Sequence, residues 1–254
     1  MTVQDTRVAD DWYVGFHAGL VARFWRAAGA TMAERDMQVL DGLLELPRGA
    51  SVIDVPCGDG RITLRLAAAG YAATGIELAP AEVELARRTA ERSGVSARFV
   101  VGDLRALPDA GPVDAVVSWG NSFGYLTPDD TIRSLAGMHR LLRPGGRLVL
   151  DSGTVAESLL VGGIAPRAEI AFGGIRMTKE NRYRAAESRL ETDYVFEDED
   201  GNVERTRAAH HVHTAGDVVR LLAGAGFRDV RLLGPDGTTP YELGSQRLIA
   251  VATA

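Results

Sequence analysis

Between residues 51 and 151 the apolar positions come in blocks. Short apolar runs at 51–55, 72–76, 97–101, 113–118 and 147–151 predict strands, and amphipathic stretches at 61–69, 80–92 and 128–142 predict helices among them. Strands that read as continuous apolar runs suit a sheet covered on both faces, so the expected fold class is α/β with a doubly wound, mostly parallel sheet. Pro80 and Pro128 stand at first helical positions, and Arg143-Pro144-Gly145-Gly146 predicts a turn before the strand at 147. Upstream, the aromatic stretch 12–29, interrupted by Gly15 and Gly19, predicts short kinked helices. Thr31 with Glu34 reads as a capping box for a helix whose stripe is Met37, Leu40, Leu43 and Leu44 and which ends at Pro47.

Downstream the period changes. Segments 168–183, 188–197 and 203–213 alternate like half-exposed strands, with Leu190, Thr192, Tyr194 and Phe196 on one face and Asp200-Gly201-Asn202 as a hairpin turn. This predicts a small antiparallel β cap inserted after the fifth strand. Thr214 then caps a helix to about Leu222, and strands at 228–233 and 246–252 return to the main sheet. The expected units are an N-terminal helical lid at 1–48, a core at 49–154, the cap at 155–213, and a final helix and strands at 214–254.

Composition narrows the partners. The chain has 254 residues, 46% of them hydrophobic, enough for one large α/β domain carrying a cap, and its net charge of -6 gives no general attraction for nucleic acid or anionic membranes. Cys57 is the only cysteine, so no intrachain disulfide and no cysteine-based zinc site is available. Met1 to Trp12 is acidic and polar where a secretory signal is basic and then apolar, and no apolar run reaches the length of a membrane span, so a cytoplasmic protein is expected.

The chemistry concentrates at strand ends. Ser51 to Thr63 reads as a strand ending in Asp54, a turn with glycines at 58 and 60, and a helix start, which lets backbone amides approach a nucleotide-like cofactor. Glu77 ends the second strand, where an acid accepts hydrogen bonds from both ribose hydroxyls. The loop Asp54-Val55-Pro56-Cys57-Gly58-Asp59-Gly60, Glu77, Asp103 in VVGDLR, and the closing LLRPGGRLVLD together resemble the class I S-adenosylmethionine-dependent methyltransferases over residues 50–152. Pro56 replaces the first glycine of that family's loop, and Ala79 stands where a capping serine is frequent. The resemblance implies a Rossmann-like seven-stranded sheet and S-adenosyl-L-methionine as cofactor, with S-adenosyl-L-homocysteine as product. It implies that Gly58 and Gly60 lie against the methionine portion, that Asp54 orders the loop or meets the amino group, that Glu77 holds the ribose, that Asp103 meets the adenine amino group while Leu104 packs on the ring, and that Pro56 and Leu78 are among the cofactor-binding residues.

Residues 120–126, GNSFGYL, are similar to the GNSF segment of glycine N-methyltransferase and of related bacterial enzymes acting on small molecules. By that likeness Trp119 borders the sulfonium, while Asn121 and Tyr125 point to the acceptor. Trp12, Tyr13, His17, Trp25 and Arg26 are candidates to close over the cofactor, with Tyr13 and Arg26 toward its carboxylate. His211 and His213 should face one way and His210 the other; the first two are candidates for an acceptor-site base, His213 above all, and without a third ligand no metal is expected. Arg176, Arg182, Arg184, Arg189, Arg205 and Arg207 in the cap fit either an anionic acceptor or ion pairing with Glu187, Glu191 and Glu204 on an exposed sheet. The implied activity is methyl transfer to an N, O or C atom of a small molecule, with pairing of two copies through the cap as a further candidate role. The alternatives are an NAD(P)-dependent oxidoreductase, in which Thr63 would occupy the third glycine position, and an inactive methyltransferase-like binding protein.

Overall fold

The structure, a computed structural model, describes residues 7–254. The first six residues of the polar N-terminal stretch, and with them the start of the expected 1–48 unit, lie outside the described residues. In chain order, α1 (Gly19–Leu44) precedes β1 (Ser51–Asp54), α2 (Arg61–Ala68), β2 (Ala72–Glu77), α3 (Pro80–Ser93), β3 (Arg98–Val101), β4 (Val113–Ser118), α4 (Pro128–Leu141) and β5 (Leu142–Ser152). A single turn, α5 (Ala156–Leu159), leads to β6 (Arg167–Phe172), β7 (Ile175–Arg184), β8 (Arg189–Asp198) and β9 (Val203–His211). Then α6 (Ala215–Gly224), β10 (Arg228–Leu233) and β11 (Leu248–Thr253) end the chain.

The main sheet has seven strands in the order β10-β11-β5-β4-β1-β2-β3, parallel throughout except that β11 runs antiparallel to both its neighbours. Successive residues of a strand point to opposite faces, so Ile53, Val116 and Leu148 pack toward Leu135, Met138 and Leu222 of α4 and α6. Val52, Ala115, Val117 and Val149 pack toward Leu40, Leu43, Leu44, Ile62 and Leu66 of α1 and α2. The chain leaves β1 for β2 on one side and reaches β4 on the other, and a strand order that reverses in this way opens a crevice at the carboxyl ends of β1 and β4.

The four-stranded antiparallel sheet, β6-β7-β8-β9, is the cap. The 168–183 segment is two strands where one was expected: Gly173 and Gly174, at φ +56° and +73°, make the two-residue turn that positive φ at both positions allows. Most cap arginines form ion pairs, Arg176 with Glu197 (2.7 Å), Arg182 and Arg207 with Asp193 (2.9 and 2.5 Å), and Arg184 with Glu191 (2.9 Å). Of the three acids expected as partners, Glu191 takes that part and Glu187 pairs with Arg7 instead. Arg189 is not on an exposed face. It is 1% exposed and reaches the Val8 carbonyl (2.7 Å), Glu191 and Asp10.

The N-terminal region also departs from expectation. Residues 10–18 form turns, and one 26-residue helix follows where short kinked helices and a separate helix from Thr31 were predicted. Thr31 is no cap: it lies inside α1, and its hydroxyl donates to the Ala28 carbonyl (2.7 Å). The acceptor for the first turn comes from far along the chain, since the Leu20 amide donates to Glu204 of β9 (2.9 Å). A Cβ at Gly19 would sit 2.1 Å from that carboxylate, and Gly19 also has φ +50°, so any other residue there would strain the backbone and displace the Glu204 side chain.

Helix α1 therefore joins the two sheets. Leu20, Val21 and Phe24 pack on Ile175, Met177, Tyr194 and Phe196 of the cap, whereas Leu40, Leu43 and Leu44 pack on the main sheet. No helix among the described residues is long and apolar enough to cross a membrane. Phe24 is fully buried, with its ring 5.3 Å from that of Phe196. Phe24→Ala is expected to destabilise the protein by about 3–5 kcal/mol, read as a lower midpoint of chemical denaturation.

Candidate cofactor site

A cavity of about 220 Å³ lies over the carboxyl ends of β1 to β4. Its floor is the β1–α2 loop from Asp54 to Asp59 with Glu77, Leu78, Gly102, Asp103, Leu104, Trp119, Gly120, Ser122 and Tyr125; Tyr13, His17, Ala22, Trp25 and Arg26 border it from the N-terminal side. The structure thus brings together Asp54, Pro56, Gly58, Glu77, Leu78, Asp103, Leu104, Trp119, Tyr13, Arg26 and Tyr125. It does not bring Gly60, Asn121 or His213 to the cavity wall.

Gly58 has φ +54°, and a Cβ there would meet no atom within 4 Å, so the backbone presents an open face to the cavity. Gly60 has another reason to be glycine: besides its φ of +81°, a Cβ would lie 2.8 Å from the Phe99 ring and 3.0 Å from Ala86. Glu77 sets the loop by accepting from the Gly58 amide and from the Ala79 amide, both at 3.0 Å, and α3 has no side-chain cap at Ala79. Asp54 is 1% exposed and accepts from the Thr63 hydroxyl (2.6 Å); burial pushes its carboxyl up to about 7 against that bond and the charge of Arg61. Asp103 is held below the usual carboxylate range by Arg105, whose Nη2 donates to Oδ2 at 2.6 Å, and the same guanidinium lies 6.0 Å from the Tyr13 ring. Arg26, expected at the cofactor carboxylate, here bonds Asp59 and Glu82, both at 3.2 Å.

The wall at Trp119 rests on residues the sequence reading missed. Arg247 lies 4.2 Å over the indole and bonds both Asp151 (2.7 Å) and Asp36 (3.1 Å), while Arg61 bonds the other oxygen of Asp36 (2.7 Å). Burial works against the Arg247 charge, and the two carboxylates outweigh it and hold the guanidinium above its usual range. Asp151 also accepts from the Gly120 amide (2.6 Å) and so fixes the backbone after β4. One signal was available: Asp36 interrupts an apolar face that includes Ala33, Leu40 and Leu43.

Asn121, at φ +68°, turns its Oδ1 to the Gly153 amide (2.7 Å) and braces the ends of β4 and β5. His213 lies beyond the end of β9, packed 5.2 Å from the Phe123 ring. The histidine against the cavity-lining Tyr125 is His210, at 5.1 Å between rings. Among the described residues no group of three or more His, Cys, Asp or Glu is placed to hold a metal ion.

Residues 52–146 match the family model described as a methyltransferase domain. These residues are a methyltransferase domain. In keeping with this, the chain is 34% identical over 142 residues to the ubiquinone biosynthesis O-methyltransferase of Xanthomonas axonopodis pv. citri (strain 306), a match covering 53% of this chain and 58% of that one. This chain spans about half the length of the curated relatives it matches. Solved structures share the fold: the CcbJ methyltransferase of Streptomyces caelestis, with TM-score 0.76 and 16% identity, covers 88% of this chain and 89% of its own. An S-adenosylmethionine-bound amino pentose methyltransferase of Micromonospora echinaspora, with TM-score 0.62 and 23% identity, covers 100% and 99%.

The methyltransferase site yields three expected outcomes. Gly58→Val projects into the cavity from a left-handed backbone and abolishes S-adenosylhomocysteine binding by calorimetry, while thermal unfolding still reports a folded protein. Arg247→Met leaves Asp36 and Asp151 without their cation and costs about 3–5 kcal/mol in denaturant titrations. For Asp54, the native carboxyl keeps its proton to about 7 and the unfolded one loses it near 3.8. The stability tied to that proton is full below the lower value and lost as pH rises through the higher. Wild type compared with Asp54→Asn should therefore lose stability between about pH 4 and 7 and level off above, as followed by denaturation across pH.

Proposed function

We propose that the protein transfers the methyl group of S-adenosylmethionine to a nitrogen, oxygen or carbon atom of a small-molecule acceptor. The observation that carries this reading is the continuity of one cavity from Asp103 and Leu104, past Glu77, to Asp54 and Gly58 and on to Trp119 and Tyr125. When bound, the cofactor supplies a methyl group already activated by its sulfonium charge. The chain's own residues bind, orient and exclude water. Glu77 accepts from ribose hydroxyls, Leu78 and Leu104 flank the adenine, Asp103 accepts from its amino group, and Asp54 and the Gly58 backbone take the methionine end. Tyr13, Trp25 and Arg26 close the N-terminal side. Tyr125 works as a neutral hydroxyl, since burial pushes its phenol well above the usual range. The setting is a bacterial cytoplasm, and the exposed edge strand β6 is the surface through which two copies would pair.

Two measurements test the reading together. Calorimetric titration should give tighter binding of S-adenosylhomocysteine than of NAD, and incubation with methyl-labelled S-adenosylmethionine and a metabolite extract should place label in the low-mass fraction. Tighter NAD binding, or no label transfer by protein that binds S-adenosylhomocysteine, would overturn it.

A further inference from the structure

Trp119 Nε1, on the cavity wall, is buried without a protein partner, and so are two further ring nitrogens that belong to one aromatic cluster beside the cavity. They are Trp12 Nε1 and His210 Nδ1. Their rings are 5.4 Å apart, and each packs on Tyr125, at 4.8 and 5.1 Å between centroids. Buried donors and acceptors are nearly always satisfied by protein, water or ligand, so two unpaired ones beside the reacting end of the cavity mark a place for a polar group from outside the chain.

The cap sheet supplies the rest of that place. Strand register puts His210 opposite Leu190, on the face that carries Thr192 and Tyr194, and β7 adds Lys179 opposite Tyr194 and Asn181 opposite Thr192. Toward its other end this face is apolar, where Ile175, Met177 and Phe196 pack against α1. Its polar residues thus gather at the end near Tyr125. Lys179 is half-buried, and no carboxylate pairs with it among the described residues; burial alone lowers its ammonium. Burial, with the charges of His211 and Lys179, pushes His210 down to about 4, so its imidazole is neutral under physiological conditions.

We propose that this end of the cap is the acceptor site and that the acceptor is a small molecule carrying an oxyanion. Trp12 Nε1 and Lys179 hold the oxyanion, and His210 Nδ1 accepts a hydrogen bond from the N–H or O–H to be methylated. The nucleophile's lone pair forms the bond to the methyl carbon, the carbon–sulfur pair returns to sulfur as a thioether, and the proton leaves the nucleophile through His210 to solvent. The identification rests on the methyl-transfer reading.

Lys179 is the only lysine, so reductive methylation with carbon-13 formaldehyde gives one side-chain NMR reporter that keeps its charge. With the cofactor site saturated by S-adenosylhomocysteine, benzoate and phenyl phosphate are titrated against the uncharged methyl benzoate. A saturable shift of the Lys179 resonance with one or both oxyanions and none with the ester is expected, and which of them acts separates carboxylate from phosphate acceptors. Trp12→Phe should weaken that binding by about tenfold, the loss of one charge-assisted hydrogen bond. An equal response to the ester, no response to either oxyanion, or unchanged affinity in Trp12→Phe overturns the proposal. Calorimetry with S-adenosylhomocysteine on the same samples keeps the two readings apart: wild type that fails to bind it overturns the methyl-transfer reading, whereas intact binding without an oxyanion response overturns the acceptor site alone.

Discussion

A largely buried guanidinium must be given counter-ions by the fold, and much of this molecule is arranged around supplying them to Arg247. Asp151 comes from the end of β5, Asp36 from the middle of α1, and Arg247 itself from just before β11. The same cation covers one face of Trp119, and the same Asp151 holds the backbone at Gly120. Removing a charge from such a group costs more than the group contributes when intact, because the partners are left buried and unpaired. The network therefore fixes where three distant segments meet more than it adds to total stability, and the segments meet at the cavity.

Helix α1 carries the second constraint. Its first turns belong to the cap and its last to the main sheet, so cap and core hold a set relation through one stretch of hydrogen-bonded backbone. Its N-terminus is satisfied by Glu204 from the cap itself. The cavity is bounded on one side by strand ends and on the other by the segment leading into this helix.

What was legible in the chain was what short-range pattern determines. Parallel strands buried on both faces must be apolar runs, and their ends fell within a residue or two of the apolar blocks, apart from β5, which takes in the predicted turn from Leu142 onward. Asp54, Gly58, Glu77, Asp103 and Trp119 were legible because each follows a strand end at a spacing the topology imposes, and all five line the cavity. The errors arose where a distant partner decides. Thr31 looked like a cap because the true one, Glu204, lies 184 residues from the amide it receives. The 168–183 run looked like one strand because a two-residue glycine turn barely interrupts an alternating pattern. His213 was assigned by strand alternation although β9 ends at His211, and Arg247 carried no local mark at all.

The packing of Leu40, Leu43 and Leu44 against Ile249 and Val251 has a consequence for how the chain acquires its structure. During synthesis α1 leaves the ribosome before any strand it covers, and β11, which lies between β5 and β10, is made last. The apolar face of that half of α1 is therefore completed only when β11 is in place. Contacts of such long sequence separation are of the kind that slow folding.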